Sequence, residues 1–236
     1  PTAADNLPLL PWQEWGPLGF VALDPVAPFA DVFDDLGTRL GGLPLERLAA
    51  DPAADRDFEV KAHWALYVEN YLEGFHIPFV HAGLNQVVDY STYASELFRY
   101  TNLQLAIARD GEPAFAPPAG SPDHGKRVAA YYWWIFPNLM LNFYPWGLSL
   151  NRVEPHGLTR CRVQFRAWVW DAAQRDRGAG SGLDQVEAED EAVVEAVQQG
   201  VRSRLYRGGR YSPSRERGVH HFHRLLAEFL NGPDGG

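Results

Sequence analysis

Along the chain, stretches in which apolar residues recur every second position give way to stretches of helical period, dividing it into a β-rich middle and a helical end. The alternation is clearest over Arg160–Trp170. There Cys161, Val163, Phe165, Ala167 and Val169 share one face, and Arg160, Arg162, Gln164 and Arg166 take the other. An antiparallel strand with one wet side reads this way. Further strands are predicted over Leu97–Ala108, Val128–Phe136, Leu139–Tyr144 and Leu148–Glu154, with Pro155-His156-Gly157 as the turn before the last strand. Nearer the start, a short strand is predicted at Leu18–Leu23. A helix is predicted from a cap at Asp31 to Leu40, ended by Gly41 and Gly42, and another strand at Phe58–Trp64. From Ala65 the period turns helical to about His76, where Pro78 opposes continuation. Two last helices are predicted, over about 185–206 and about 213–230. Strands followed by long helices predict an α+β fold, an antiparallel sheet with helices packed on it.

Composition narrows the class. With 236 residues and 46% hydrophobic content, the chain supports a sizeable core, and a single domain over 1–236 is expected. Its 22 Gly and 18 Pro favour a loop-rich sheet protein over a helical bundle. The balance of 21 basic against 30 acidic residues, with no basic stripe, argues against a nucleic-acid partner. No apolar run approaches the ~20 residues that span a bilayer, so no membrane partner is expected, and no signal-peptide pattern is present. A lone cysteine, Cys161, excludes an internal disulfide and makes a cytoplasmic location the expectation. The chain starts at Pro1 and its only methionine is Met140, so a processed product or a portion of a longer chain is expected.

The histidines carry the candidate chemistry. His76 and His81 are spaced H-x4-H, and a regular helix would set them ~140° apart. A break at Pro78 frees the second to fold back; the alternative is a pair of interior histidines bonded to backbone. Glu69, Glu73 and His76 form one stripe of the preceding helix, beside an apolar stripe of Val68, Leu72 and Phe75. Carboxylates beside a histidine on a buried helix are costly unless paired or placed near a metal. Downstream, Glu187, Glu189, Asp190 and Glu191 crowd the start of a helix. Three of them are expected only to complement its macrodipole. Asp190 is expected to face inward, because Val194, Val197, Val201 and Leu205 follow it at helical spacing. Two histidines and one carboxylate form the facial triad of non-haem Fe(II) oxygenases. His220, His221 and His223 read as surface and packing residues.

The block Glu69-Asn70-Tyr71-Leu72-Glu73-Gly74-Phe75-His76-Ile77-Pro78-Phe79-Val80-His81 resembles the first iron-ligand block of Rieske non-haem iron ring-hydroxylating oxygenase α subunits. The block from Glu189 to Gly200 resembles their aspartate-ligand block. Phe136–Met140, Gly218–His223 and the opening Trp15–Asp24 look familial too, in the right order across nearly the whole chain. The resemblance implies a helix-grip (START-like) C-terminal catalytic domain, a curved antiparallel sheet wrapped around a long helix with additional helices. It implies mononuclear Fe(II) on His76, His81 and Asp190. Glu73 would bridge to the Rieske cluster of a neighbouring subunit in a homotrimer. Glu73 and Asn70 are expected to support the ligands from behind.

The resemblance also implies mono- or dioxygenation of a small aromatic or quaternary ammonium molecule with O2. The first histidine block, with Pro78 and its Glu, reads more like the ammonium branch. One cysteine cannot hold a Rieske cluster, so an external [2Fe-2S] Rieske centre and its reductase are expected to supply electrons, from a missing domain or another polypeptide. Among the dense aromatics Trp133, Trp134, Phe143, Tyr144 and Trp146, the residues Trp133, Phe143 and Trp146 are candidate pocket walls; the alternative is sheet core. Two rival functions stand beside the oxygenase: a non-redox ligand carrier of the same fold, and a zinc hydrolase.

Overall fold

The computed structural model describes residues 7–232, so Pro1 lies outside the described residues. Strands β1 (Trp12–Trp15) and β2 (Leu18–Val21) form a hairpin, turned at Gly16 with a left-handed φ of 54°. Helix α1 (Ala30–Leu40) follows. The predicted cap at Asp31 is not made: Phe29 precedes the helix, and Asp31 lies in its first turn, where its charge complements the dipole. Next come β3 (Ala49–Ala50), β4 (Arg56–Val60), α2 (Trp64–Tyr71), α3 (Ile77–Val80) and α4 (Ala82–Val87). Then follow β5 (Ala94–Leu97), β6 (Thr101–Ile107), β7 (Val128–Ile135), β8 (Leu139–Tyr144), β9 (Gly147–Pro155) and β10 (Cys161–Val169). Helices α5 (Leu183–Val201) and α6 (Arg217–Asn231) complete the described chain.

The fold is α+β. An eight-stranded antiparallel sheet runs β3-β10-β9-β8-β7-β6-β5, with β4 also paired to β10. The predicted strand Leu97–Ala108 is two strands, β5 and β6, because the chain reverses at Phe98–Tyr100. The predicted Phe58–Trp64 stops at Val60, because the His63 ring accepts the Ala65 N–H and starts α2 early.

Period-two geometry gives the sheet two unlike faces. Leu103, Leu105, Tyr131, Trp133, Leu141, Phe143 and Leu148 pack against Phe33, Leu36 and Leu40 of α1. On the opposite face Trp134, Met140, Val153, Cys161 and Val163 meet Val68 and Leu72 of α2, Val194 of α5, and Phe222 and Leu225 of α6. This second face changes character where Gln104, Tyr132, Asn142, Tyr144 and Asn151 project beneath α2 and α5.

The buried stripe of α5 differs from the predicted one. It runs through Glu187, Val194 and Gln198, whereas Val197 is exposed and Leu205 lies exposed beyond the helix end. Polar groups are needed on that face because Glu195 Oε1 accepts the Lys61 N–H and Gln198 Oε1 the His63 N–H, at 2.9 and 2.7 Å. These bonds satisfy the loop between β4 and α2 and lock α5 against it.

Across the first face, Arg39 of α1 donates to Glu96 of β5 at 2.6 Å and to the fully buried Asp123, which also takes Lys126 Nζ at 2.8 Å. Arg39→Ala leaves a buried carboxylate with one partner and should destabilise the fold by about 3 kcal/mol in urea unfolding. Burial works against the Asp123 charge, but Arg39 and Lys126 outweigh it and hold its carboxyl below the usual range. The stabilisation is therefore present at neutral pH and lost as acid protonates Asp123, so the gap between wild type and variant should narrow in acid.

Candidate metal centre

Helix α2 ends at Tyr71, one turn before the predicted end at His76. Two local features end it. Gly74 lies so close to the Tyr93 ring that a Cβ there has no room. The Glu73 carboxylate accepts the backbone N–H groups of Phe75 and His76, closing a turn in place of helix. The chain thus breaks at Leu72–His76 and not at Pro78, which sits in the first turn of α3, where a missing N–H costs nothing. One-turn α3 carries the chain from His76 to His81, which lies at its junction with α4.

Both imidazoles return to the same point. Their Nε2 atoms lie 3.0 Å apart, and α5 brings Asp190 Oδ1 to 3.1 Å from His81 Nε2 and 3.4 Å from His76 Nε2. The opposite ring nitrogens are engaged by carboxylates: His76 Nδ1 by Glu73 at 2.5 Å and His81 Nδ1 by Glu189 at 2.8 Å. Asn70 Nδ2 donates to Asp190 Oδ1 at 2.6 Å. His81 is 2% exposed.

This arrangement constrains the protons. Each carboxylate favours an Nδ1–H tautomer, which leaves both Nε2 lone pairs aimed at one another and at a carboxylate oxygen. Three electron-pair donors so converged need protons or a cation between them. Where protons alone serve, burial opposes the charge on His76, yet Asp190 and Glu73 outweigh it and lift the ring to about 9. Burial likewise pushes Asp190 upward, but its bonds from His76 and His81 hold it at about 2. A divalent cation satisfies all three donors at once. Donors ~2.1 Å from an ion lie ~3.0 Å apart at right angles and ~3.4 Å apart in a tetrahedron, and the observed spacings fall in that interval. A two-nitrogen, one-oxygen set suits Fe(II) with open positions, and also Zn(II).

A cavity of about 100 Å³ adjoins the three donors. Five tyrosines line it: Tyr67, Tyr71, Tyr93, Tyr132 and Tyr144. The expected walls Trp133, Phe143 and Trp146 do not. Trp133 and Phe143 point into the core beneath α1, one residue out of phase with Tyr132 and Tyr144. Trp146 stacks behind Tyr144 at 5.4 Å and donates Nε1–H to the Gly180 carbonyl at 3.2 Å.

Two acids assigned only to the macrodipole belong to the site. Glu189 engages His81, and Glu187 is 3% exposed, lines the cavity and accepts the Tyr67 hydroxyl at 2.5 Å. Burial pushes the Glu187 carboxyl up to about 8. The legible signal was the spacing of Glu187, Asp190, Val194 and Gln198 on one helical stripe. Among the C-terminal histidines His220 is exposed and His221 packs against Trp134. His223 bonds Glu69 at 2.9 Å, away from the triad.

Residues 45–232 match the family described as ring hydroxylating alpha subunit (catalytic domain). The chain belongs to that family. Among relatives of this ring-hydroxylating catalytic domain, chloroplastic choline monooxygenase of Beta vulgaris is 30% identical over 92% of the chain and 49% of its own length. The carnitine monooxygenase oxygenase subunit of Escherichia coli K12 is 27% identical over 95% and 63%. In fold, the domain is similar to the quaternary ammonium Rieske monooxygenase CntA solved with L-carnitine (TM-score 0.69, 22% identity, 93% of this chain and 60% of that one). It is likewise similar to naphthalene 1,2-dioxygenase with phenanthrene (TM-score 0.65, 15% identity, 92% and 63%). The chain spans about half the length of the choline monooxygenase. No helix among the described residues is long and apolar enough to cross a membrane.

Removing the support behind His81 should loosen metal binding without removing a donor. Glu189→Gln is expected to weaken Co(II) affinity roughly 10–100-fold in competition with a chelator, whereas Glu191→Gln leaves it unchanged.

Proposed function

We propose that this chain is the mononuclear Fe(II) half of a Rieske-type monooxygenase that oxidises a small quaternary ammonium compound, with His76, His81 and Asp190 as the iron ligands. The convergence of one donor atom each from His76, His81 and Asp190 beside a cavity is the observation that carries the reading. Iron(II) held there supplies the redox chemistry that activates O2. The chain's own residues orient and enclose. Glu73 and Glu189 fix the imidazole tautomers, Asn70 holds the Asp190 oxygen, and α2 and α5 wall the cavity on its helical side.

Phenol faces suit a quaternary ammonium group through cation–π attraction, and the relatives named for choline and carnitine favour that substrate class. Ring dioxygenation and aromatic catabolism fit less well. Electrons would come from an external [2Fe-2S] Rieske centre fed by a reductase. Glu73, bonded to His76 with 15% of its side chain exposed, is suited to bridge toward that centre in a neighbouring subunit of a homotrimer. The lone cysteine supports a cytoplasmic setting, although the choline monooxygenases are chloroplastic.

Anaerobic reconstitution with Fe(II) tests the reading. About one iron per chain is expected, lost in both His76→Ala and Asp190→Ala. Zinc binding with no uptake of Fe(II) would favour hydrolysis, and no metal binding at all would favour the carrier.

A further inference from the structure

We infer that Glu187 is the counter-ion for the substrate's cationic nitrogen, so that the cavity accepts a cation bearing a hydroxyl or other neutral polar group and rejects one bearing a carboxylate. This deepens the oxygenase reading and rests on it for treating the cavity as the substrate site. Glu187 is 3% exposed and lines the cavity. One of its carboxyl oxygens, Oε2, takes the Tyr67 hydroxyl; the other, Oε1, is buried with no hydrogen-bond partner. Leaving such an oxygen unmatched is unfavourable, and a positive group in the cavity removes that cost. A fixed positive charge also favours the carboxylate over the acid form that burial alone favours.

The rest of the lining points the same way. Among the described residues no lysine or arginine lines the cavity, and both histidines are committed to Asp190 and to carboxylates behind them. A substrate carboxylate would therefore find no lysine or arginine to pair with, and would face the acidic side chains Glu187, Asp190 and Glu73. The amides on the sheet side, Gln104, Asn142 and Asn151, are neutral and suit a hydroxyl. Glu187 stands three residues before Asp190 on α5, so the two carboxylates share a face with Cβ atoms ~5–6 Å apart. A cationic nitrogen held by Glu187 thereby sets its attached carbons toward the metal ligands.

Calorimetric titration of the whole chain tests the assignment with three probes. They are choline, glycine betaine, and the neutral isostere of choline in which a tert-butyl group replaces trimethylammonium. Wild type should bind choline at least about tenfold more tightly than either of the others, a difference of ~1.4 kcal/mol. Glu187→Gln, which keeps the Tyr67 bond, should erase choline's advantage over the isostere while leaving isostere binding within about twofold. Equal binding of betaine and choline by wild type, no binding of choline, or an undiminished choline advantage in Glu187→Gln would each overturn the proposal. Iron content of the same samples separates the two readings. A chain that binds choline but no iron loses the oxygenase and keeps Glu187 as counter-ion; a chain that binds iron and prefers betaine does the reverse.

Discussion

Two imidazoles whose Nδ1 atoms are each engaged by a carboxylate turn their Nε2 atoms on one another and on Asp190, and much of the surrounding structure serves to hold that convergence. The Glu73 turn ends α2 and starts α3 in the same stroke, so the element that presents His76 also fixes its tautomer. Asp190 arrives from a helix more than 100 residues later in the chain. Its position is secured by Glu195 and Gln198, which bond the backbone at Lys61 and His63, and by Asn70, which bonds Asp190 itself. Such a cluster is stable only when a positive charge occupies its centre, whether protons or a metal ion, and its donor set favours the ion.

The cavity follows from a local change in the sheet's second face. Apolar residues cover most of that face, but across β6, β7, β8 and β9 it carries Gln104, Tyr132, Asn142, Tyr144 and Asn151. These groups are tied down where they meet α2: the Tyr71 hydroxyl donates to Asn142 Oδ1 at 2.7 Å, and Gln104 Nε2 donates to the Tyr71 carbonyl at 2.5 Å. Polar side chains already fixed by bonds of this kind need little rearrangement on binding, which favours a selective pocket over an adaptable one. The acids all come from the helical side, while phenols and amides line both sides, giving the cavity a polarity suited to cations.

Much of this was legible in the sequence. The alternation at Cys161–Val169 marked its strand, and the ordered blocks around His76, His81 and Asp190 pointed to the three donors that the fold brings together. What stayed hidden depended on phase and on long-range partners. Trp133 and Tyr132 are adjacent in a strand where both faces are aromatic, so composition could not say which face was core. Glu187 and Glu189 looked like ordinary acids near a helix start, because Tyr67 and His81 reach them only through the tertiary fold. The stripe drawn through Val197 and Leu205 failed for a related reason: the inward face of α5 is polar where it caps backbone and borders the cavity.

The central claim is that His76, His81 and Asp190 together hold one iron. Anomalous diffraction at the iron edge, from crystals grown anaerobically with Fe(II), tests it most directly. The account predicts a single strong peak within bonding distance of both Nε2 atoms and the Asp190 carboxylate. A crystal that is saturated with Fe(II) yet shows no peak there, or shows it only elsewhere, would contradict it.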